Sequence, residues 1–400
     1  MTTSTNDEVI RSIFNDIDQH FEETVSWRRH LHQNPELSFQ EQETAKFIAE
    51  KLESFGIEVK RHIGGNGLIG TLKGAYDGQT VALRADFDAL PIIDLKEVSY
   101  KSQNPGVMHA CGHDGHTSAL LSVARVLTQH KDKIYGTVKF IFQPAEETPP
   151  GGAKYMVEDG ALEAVDVIFG AHLDSGNPVG KISVGEGYRM AAVDKFKITL
   201  QGLGGHGARP HEAIDSIVLG GKIVSDLQQV VSRRLNPFDP AVVTIGVFHA
   251  GSAFNIIADS AIIEGTVRTM TEDVRQKVKK EIYSIVEGAA SSAHATAEID
   301  YLHGYPALYN HPKETALAKS LFEKQFGKDR VQDLEPTMGA EDFAYYLLEK
   351  PGTYFKVGSH NNDPATQFPH HHPKFDFDEH ALLEIQKSFV TIIAHYLFEK

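Results

Sequence analysis

Val81-Ala82-Leu83-Arg84-Ala85-Asp86-Phe87-Asp88 decides how this chain folds: an apolar run that ends in acids. Two more stretches repeat the design. Val138 to Phe142 is closed by Gln143-Pro144-Ala145-Glu146-Glu147, and Val165 to Ala171 is closed by His172. Segments of helical period lie around these runs. Ser38-Phe39-Gln40-Glu41 has the form of a capping box and opens a helix with Ala45, Ile48, Ala49, Leu52 and Phe55 on one face, stopped at Gly56. Asp114 to Gln129 carries Leu120, Leu121, Val123, Ala124 and Leu127 in a second helix. Strands separated by helices predict an α/β fold with an open, mostly parallel sheet. Such sheets bind ligands beyond the carboxyl ends of their strands. Pro144 and the polar residues mark those ends independently of any site, so Asp86, Glu146, Glu147 and His172 are expected at one edge.

A further segment, Met108-His109-Ala110-Cys111-Gly112-His113-Asp114-Gly115-His116-Thr117, holds the only cysteine of the chain. A thiolate and an imidazole two residues apart can grip one metal ion. Gly112 and Gly115 let the backbone bend there without a Cβ in the way. Composition sets the wider limits. The chain has 400 residues, 41% hydrophobic and 23% charged, as ordinary globular proteins do. A formal charge of -15 argues against nucleic acid as a partner. No apolar run is long enough to span a membrane, and Met1 to Glu8 lacks the apolar region of a signal peptide. One cysteine cannot form an internal disulfide, so a cytoplasmic location is expected. The 21 histidines favour a metal enzyme.

From about Ala191 the pattern changes. Val193 to Leu200 alternates like a half-buried strand; a helix follows from Ala213 to about Arg234, then strands near 241–249 and 256–268, a helix from Glu272 to about Ser291, and a strand from Thr296 to Leu302. The order β-α-β-β-α-β is ferredoxin-like. The expected organisation is a catalytic domain over 1–190 and 303–400, interrupted by an inserted lid or dimerisation domain over 191–302. After the insertion, helix and strand resume at Lys313 to Phe326, Thr353 to Gly358 and a closing helix from Glu379.

Five motifs, in order, carry a resemblance. His32-x-x-Pro35-Glu36-Leu37-Ser38, Arg84-Ala85-Asp86-Phe87-Asp88-Ala89-Leu90-Pro91, His109 to His116, Gln143 to Glu147 and His371-His372-Pro373-Lys374-Phe375 are similar to those of the amino-acid amidohydrolases. That group includes hippurate hydrolase, N-acyl-amino-acid deacylases and the plant indole-acetyl-amino-acid hydrolases. It lies within the dinuclear metallopeptidase superfamily of aminoacylase and carboxypeptidase G. The resemblance runs from about residue 28 to the end of the chain. It implies two divalent metal ions bridged by Cys111, with His113 and His172 on one ion and Glu147 and a C-terminal histidine on the other. The motif His-x-Pro-x-Phe selects His371, although His370 and His372 flank it and the tract alone does not separate them. In the wider superfamily the bridge is an aspartate, and His-x-Asp stands where this chain has Arg84-x-Asp86; His113 then supplies the missing imidazole. The mixed donor set leaves zinc and manganese open, with cobalt and nickel also used by related enzymes.

Neighbouring side chains in an extended segment point different ways. Glu147 can thus bind metal while Glu146 takes the proton of the attacking water and passes it to the leaving amine. Asp86 is expected to orient a ligand histidine, and Asp114 to be either such a carboxylate or a helix N-cap. The resemblance further implies that His206, in Gly204-Gly205-His206-Gly207, reaches the partner subunit's site in a homodimer or higher oligomer and stabilises the oxyanion. It assigns Asn255 and Arg268 to the substrate carboxylate, with Ala258 where a proline is usual; His211 can be a helix-start residue, and Glu341 has no assigned role. The expected activity is hydrolysis of N-acyl-amino acids to a carboxylic acid and a free amino acid, without an acyl-enzyme. The alternatives are a dipeptidase or metallocarboxypeptidase acting on dipeptides and, outside catalysis, a metal-binding protein.

Overall fold

The computed structural model describes residues 2–398. The run at Val81 is the end of a long strand, Tyr76–Asp86, buried over its last six residues. That strand lies parallel to Tyr135–Gln143 on one side and to Val167–Pro178 on the other. Val167–Pro178 in turn lies parallel to Gly352–His360. These four are the middle of an eight-stranded sheet, continued by Gly67–Lys73 and Glu58–Ile63 at one edge and by Ile182–Ser183 and Val331–Gln332 at the other. The outer pairings of the first edge are antiparallel. The fold is therefore mixed α/β with a mostly parallel centre, as the alternation of strand and helix predicts.

Two compact units are present. One runs to Gly187 and resumes over Tyr309–Glu335 and from Asp342; the other is Tyr188–Leu308 with Pro336–Glu341. In the first unit the helix His113–Gln129 is buried from His113 through Leu127. A helix buried on every side belongs in the core, and it packs among the helices Phe21–Gln33 and Ala381–Leu397 and the strand Tyr76–Asp86. Gly115 permits the approach to the sheet, because a Cβ there would lie 2.8 Å from Leu173 Cδ1 and from the Phe377 ring. Among the described residues no helix is long and apolar enough to cross a membrane.

Three local expectations change. The helix opened by Ser38-x-x-Glu41 spans Gln42–Ser54, and no side chain of its N-cap residue caps it. Glu36 does so instead, accepting from the amides of Glu43 and Thr44, while Ser38 donates to Asp88 and Glu41 accepts from Ala145 N. His172 is not past a strand end. Arg84 is in register with Gly170, so His172 stands level with the end of Tyr76–Asp86, but its own strand continues beside Gly352–His360 as far as Pro178. Asp114 is not the N-cap of its helix; Gly112 is, at φ +91°. Asp114 instead accepts from Arg28 and His32.

The second unit has the chain order β-α-β-β-α-β: Ala192–Gln201, Ser216–Gln229, Ala241–Ala250, Ser260–Thr269, Glu272–Ser292 and Thr296–His303. Its four strands are antiparallel in the spatial order Ala241–Ala250, Ser260–Thr269, Ala192–Gln201, Thr296–His303. Phe196, Ile198 and Leu200 face the helices' Leu219, Ile223, Val278 and Ile282 in a core of its own. The buried carboxylate of Asp194 accepts from Arg275, Tyr301 and the amide of Gly304.

Candidate metal centre

The strand Tyr135–Gln143 stops at Pro144, and Ala145 follows with φ +53°. A left-handed non-glycine residue is strained, and here it turns Glu146 and Glu147 over the sheet edge. Buried Glu41 holds this turn through the Ala145 amide, and burial pushes its pKa up to about 7. Beneath it, Asp342 accepts from Gln143 and Arg84.

Around that edge the donors gather. Cys111, His113 and His172 bring ligand atoms within 4.8 Å of one another, and so do Cys111, Glu147 and His371. The two groups share Cys111. A third group joins His113, Glu146 and Glu147. Cys111 Sγ is 3.5 Å from His172 Nε2, and His371 Nε2 is 3.4 Å from Glu147 Oε1. Two ligands at about 2.1 Å from a tetrahedral ion stand roughly 3.4 Å apart, so each pair has the spacing of neighbours on one ion. Among the three C-terminal histidines the structure separates His371. Half-buried His370 accepts from Ser175 N, and His372 stacks on Phe368. His371 has φ +65° and its amide donates to Ala110 O, which seats it beside the Cys111 turn.

Tautomers follow from partners. His113 Nδ1 faces the backbone oxygen of Asp88 at 3.0 Å and its carboxylate at 3.1 Å, so Nδ1 keeps its proton and Nε2 is the nitrogen that can turn a lone pair to a metal. His172 Nδ1 donates to Leu173 O at 2.6 Å, which leaves its Nε2 facing Cys111 in the same state. His113 Nε2 and Glu147 Oε1 are buried without a hydrogen bond. Buried polar atoms are normally satisfied; these two point among other donors, as cation ligands do. Charge agrees. Burial, then Glu147, Glu146 and Asp86, push the Cys111 thiol well above its usual range. Burial opposes charge on His113, but Asp86, Asp88 and Glu147 outweigh it and push its pKa up to about 10. A site this negative takes up positive charge, and the residues fit a pair of divalent cations sharing Cys111.

Asp86 has a different neighbour from the one expected. It accepts from Arg84 at 2.6 Å and from His116 Nδ1 at 2.6 Å, and its Oδ2 is 3.7 Å from His113 Nε2. His116 Nε2 accepts from Leu173 N, so both of its nitrogens are used. The carboxylate behind His113 Nδ1 is Asp88, a residue to which the sequence alone assigns no role. Fully buried Asp88 also accepts from Glu147 N at 3.0 Å and Ser38 Oγ at 2.7 Å. Its signal in the sequence was the spacing Asp86-x-Asp88, which puts two acids on one side of a strand end.

In the second unit, exposed His206 lies on a two-residue strand in register with Ile256, and Gly207 N donates to Asn255 O. His206 and Asn255 are thus brought together. Half-buried Arg268 donates to Thr266 and to Val267 O. His211 is exposed in a short turn, Pro210–Glu212, and Glu341 is buried.

A family model described as peptidase family M20/M25/M40 matches residues 82–395, which include every donor above but not the N-terminal motif. The chain belongs to this family. YhaA of Bacillus subtilis (strain 168), which carries an amidohydrolase name, is 50% identical over 377 residues, 94% of this chain and 95% of that one. An N-acyl-L-amino acid amidohydrolase of Geobacillus stearothermophilus is 45% identical over 296 residues, covering 74% of this chain and 80% of its own. Among solved structures, the Bacillus subtilis YXEP protein, described as a dinuclear metal binding peptidase from the M20 family, superposes with a TM-score of 0.81 at 36% identity, over 94% of this chain and 98% of that one. This M20 chain is an enzyme, a metal-dependent amide hydrolase.

Proposed function

We propose that the chain cleaves the amide between an acyl group and a free amino acid. The observation that carries this reading is Glu146: a buried carboxylate whose Oε2 is 4.0 Å from His113 Nε2, over and above the donors of the two groups that share Cys111. A metal-binding protein would have no use for it. The ions, zinc or manganese with cobalt and nickel also suited, supply Lewis acidity that polarises the substrate carbonyl and acidifies a water. Cys111 would serve both ions, with His113 and His172 holding one and Glu147 and His371 the other. Glu146 accepts the proton of the attacking water and returns it to the leaving nitrogen. Asp86 steadies the edge through His116, and Asp88 holds the His113 tautomer.

Residues 191–302 act as a lid and dimerisation domain. Ala208 N donates to His206 Nδ1, which puts the ring proton on Nε2, the tautomer that can donate to an oxyanion in the partner's site. Asn255, tied to the same loop, and Arg268 take the substrate carboxylate. The compartment is the cytoplasm, whose reducing conditions keep a single ligand thiol intact. Dipeptide hydrolysis is the second reading, favoured by the peptidase description of YXEP. A panel of N-acetyl- and N-benzoyl-amino acids beside unblocked dipeptides, each with several metals, tests the choice. Amine release from the blocked substrates alone supports the proposal, and release from the dipeptides alone refutes it.

A further inference from the structure

The loop that carries His371 has little regular structure of its own. It lies between the strand Gly352–His360 and the helix Ala381–Leu397, with only the short turn Pro364–Thr366. Cys111, His113 and His172 have firmer seats: a helix start, the Asp88 carboxylate and a central strand. His371 must be held by contacts distant in sequence, and a charged cluster supplies them. The Arg28 guanidinium is fully buried on the helix Phe21–Gln33. Its Nε donates to Asp114 at 2.9 Å, its Nη2 to Asp376 at 2.6 Å and its Nη1 to Glu379 at 3.1 Å. Asp114 follows His113; Asp376 and Glu379 follow His371. Tyr100 donates to the other oxygen of Asp376, and Lys96 Nζ to Phe375 O.

We propose that Arg28 is a positioning residue for the metal centre: by tying Asp376 and Glu379 to Asp114 it fixes His371 against the helix of His113, and so governs the affinity of one ion rather than both. This rests on the two-ion reading of the site. The three bonds of the planar fork specify direction as well as distance, which one ammonium cannot reproduce. Loss of the clamp frees the loop, while Cys111, His113 and His172 keep their own supports.

The test uses full-length protein, stripped of metal and titrated with zinc against a competing chelator, with melting followed in parallel. The variants are Arg28→Lys and Asp376→Asn, with His371→Ala as reference. Partners behind a ligand typically govern affinity by about 10- to 100-fold. In both clamp variants one ion should weaken by about tenfold or more while the other keeps its wild-type affinity. Equal weakening of both ions, or no change in either with melting intact, overturns the proposal. If Arg28→Lys does not fold, Asp376→Asn decides, since it keeps the guanidinium and the shape of its partner. Retention of two ions by His371→Ala would instead refute the reading of the site itself.

Discussion

Asp88→Asn is the most informative single change, because one buried carboxylate serves three donors. Its Oδ1 faces His113 Nδ1, and its Oδ2 accepts from Glu147 N and Ser38 Oγ. An amide has the same shape but one accepting oxygen. The Ser38 hydroxyl can rotate and accept instead; the Glu147 amide cannot. With the amide oxygen toward Glu147, the new NH2 meets His113 Nδ1 and favours the tautomer with its proton on Nε2, which cannot ligate a metal. With the oxygen toward His113, the Glu147 amide is stranded in a buried site. Metal binding requires the second orientation, so the usual penalty for an unsatisfied buried group, about 1–3 kcal/mol, falls on the metal-bound state. At about 1.4 kcal/mol per tenfold, that is a roughly 5- to 150-fold loss of metal affinity. The Asp88 backbone oxygen also accepts from His113 Nδ1, so the lower half of the range is expected. The assay is zinc titration of metal-free protein against a chelator, followed by turnover at saturating metal. Wild-type affinity in a folded variant would refute the assignment of Asp88 as the residue that fixes the His113 tautomer.

Other expectations follow from the same geometry. Glu146→Gln should keep both ions, by metal analysis, and lose about 10²–10⁴-fold in turnover, the usual contribution of a positioned general base; near-normal turnover would move the base elsewhere. Burial and the neighbouring carboxylates hold the Cys111 thiol protonated, so alkylation of metal-free protein should be slow at neutral pH and still rising in alkali. Because metal binding must displace that proton, affinity should fall as pH drops; fast neutral-pH alkylation with chelator present would contradict this. On the proposed dimer, the Glu146→Gln and His206→Ala proteins should each be weak, the second by about 10²–10³-fold. Subunit exchange between them should restore roughly a quarter of wild-type activity, since about half the dimers then carry one site with neither defect. No recovery after demonstrated exchange would mean that His206 does not act across the dimer.

The sequence carried the sheet and the donor types because both depend on local pattern. Apolar runs at Val81 and Val138 end where the strands end, and the β-α-β-β-α-β order of the second unit is visible from periodicity. What stayed hidden depends on partners far along the chain. The apolar run at 165–171 stops before the strand does, because Gly352–His360 continues the pairing to Pro178. Ser38 and Glu41 have the spacing of a cap, yet tertiary contacts with Asp88 and Ala145 claim both. Three consecutive histidines are equal in composition; only the fold sets His371, at a left-handed turn, beside Glu147. Nothing near Arg28 announces that its partners are 86 and 348 residues away.

The pairing of Val167–Pro178 with Gly352–His360 also bears on biosynthesis. The central strand leaves the ribosome roughly 170 residues before the neighbour that covers its open edge. At about 5–20 residues per second that is a wait of roughly 10 to 35 s. During it the intervening segment, with a core of its own, can finish folding while the first unit stands open with an unpaired strand edge, a surface prone to aggregation. Cys111, His113, Glu147 and His172 are all synthesised before the wait, and His371 only after it. On the proposed ligand sets, an ion held by the early donors can be loaded onto the nascent chain, whereas the one that needs His371 would await release of the finished polypeptide. Metal supplied only during translation, and withdrawn at release, should therefore leave part-loaded protein.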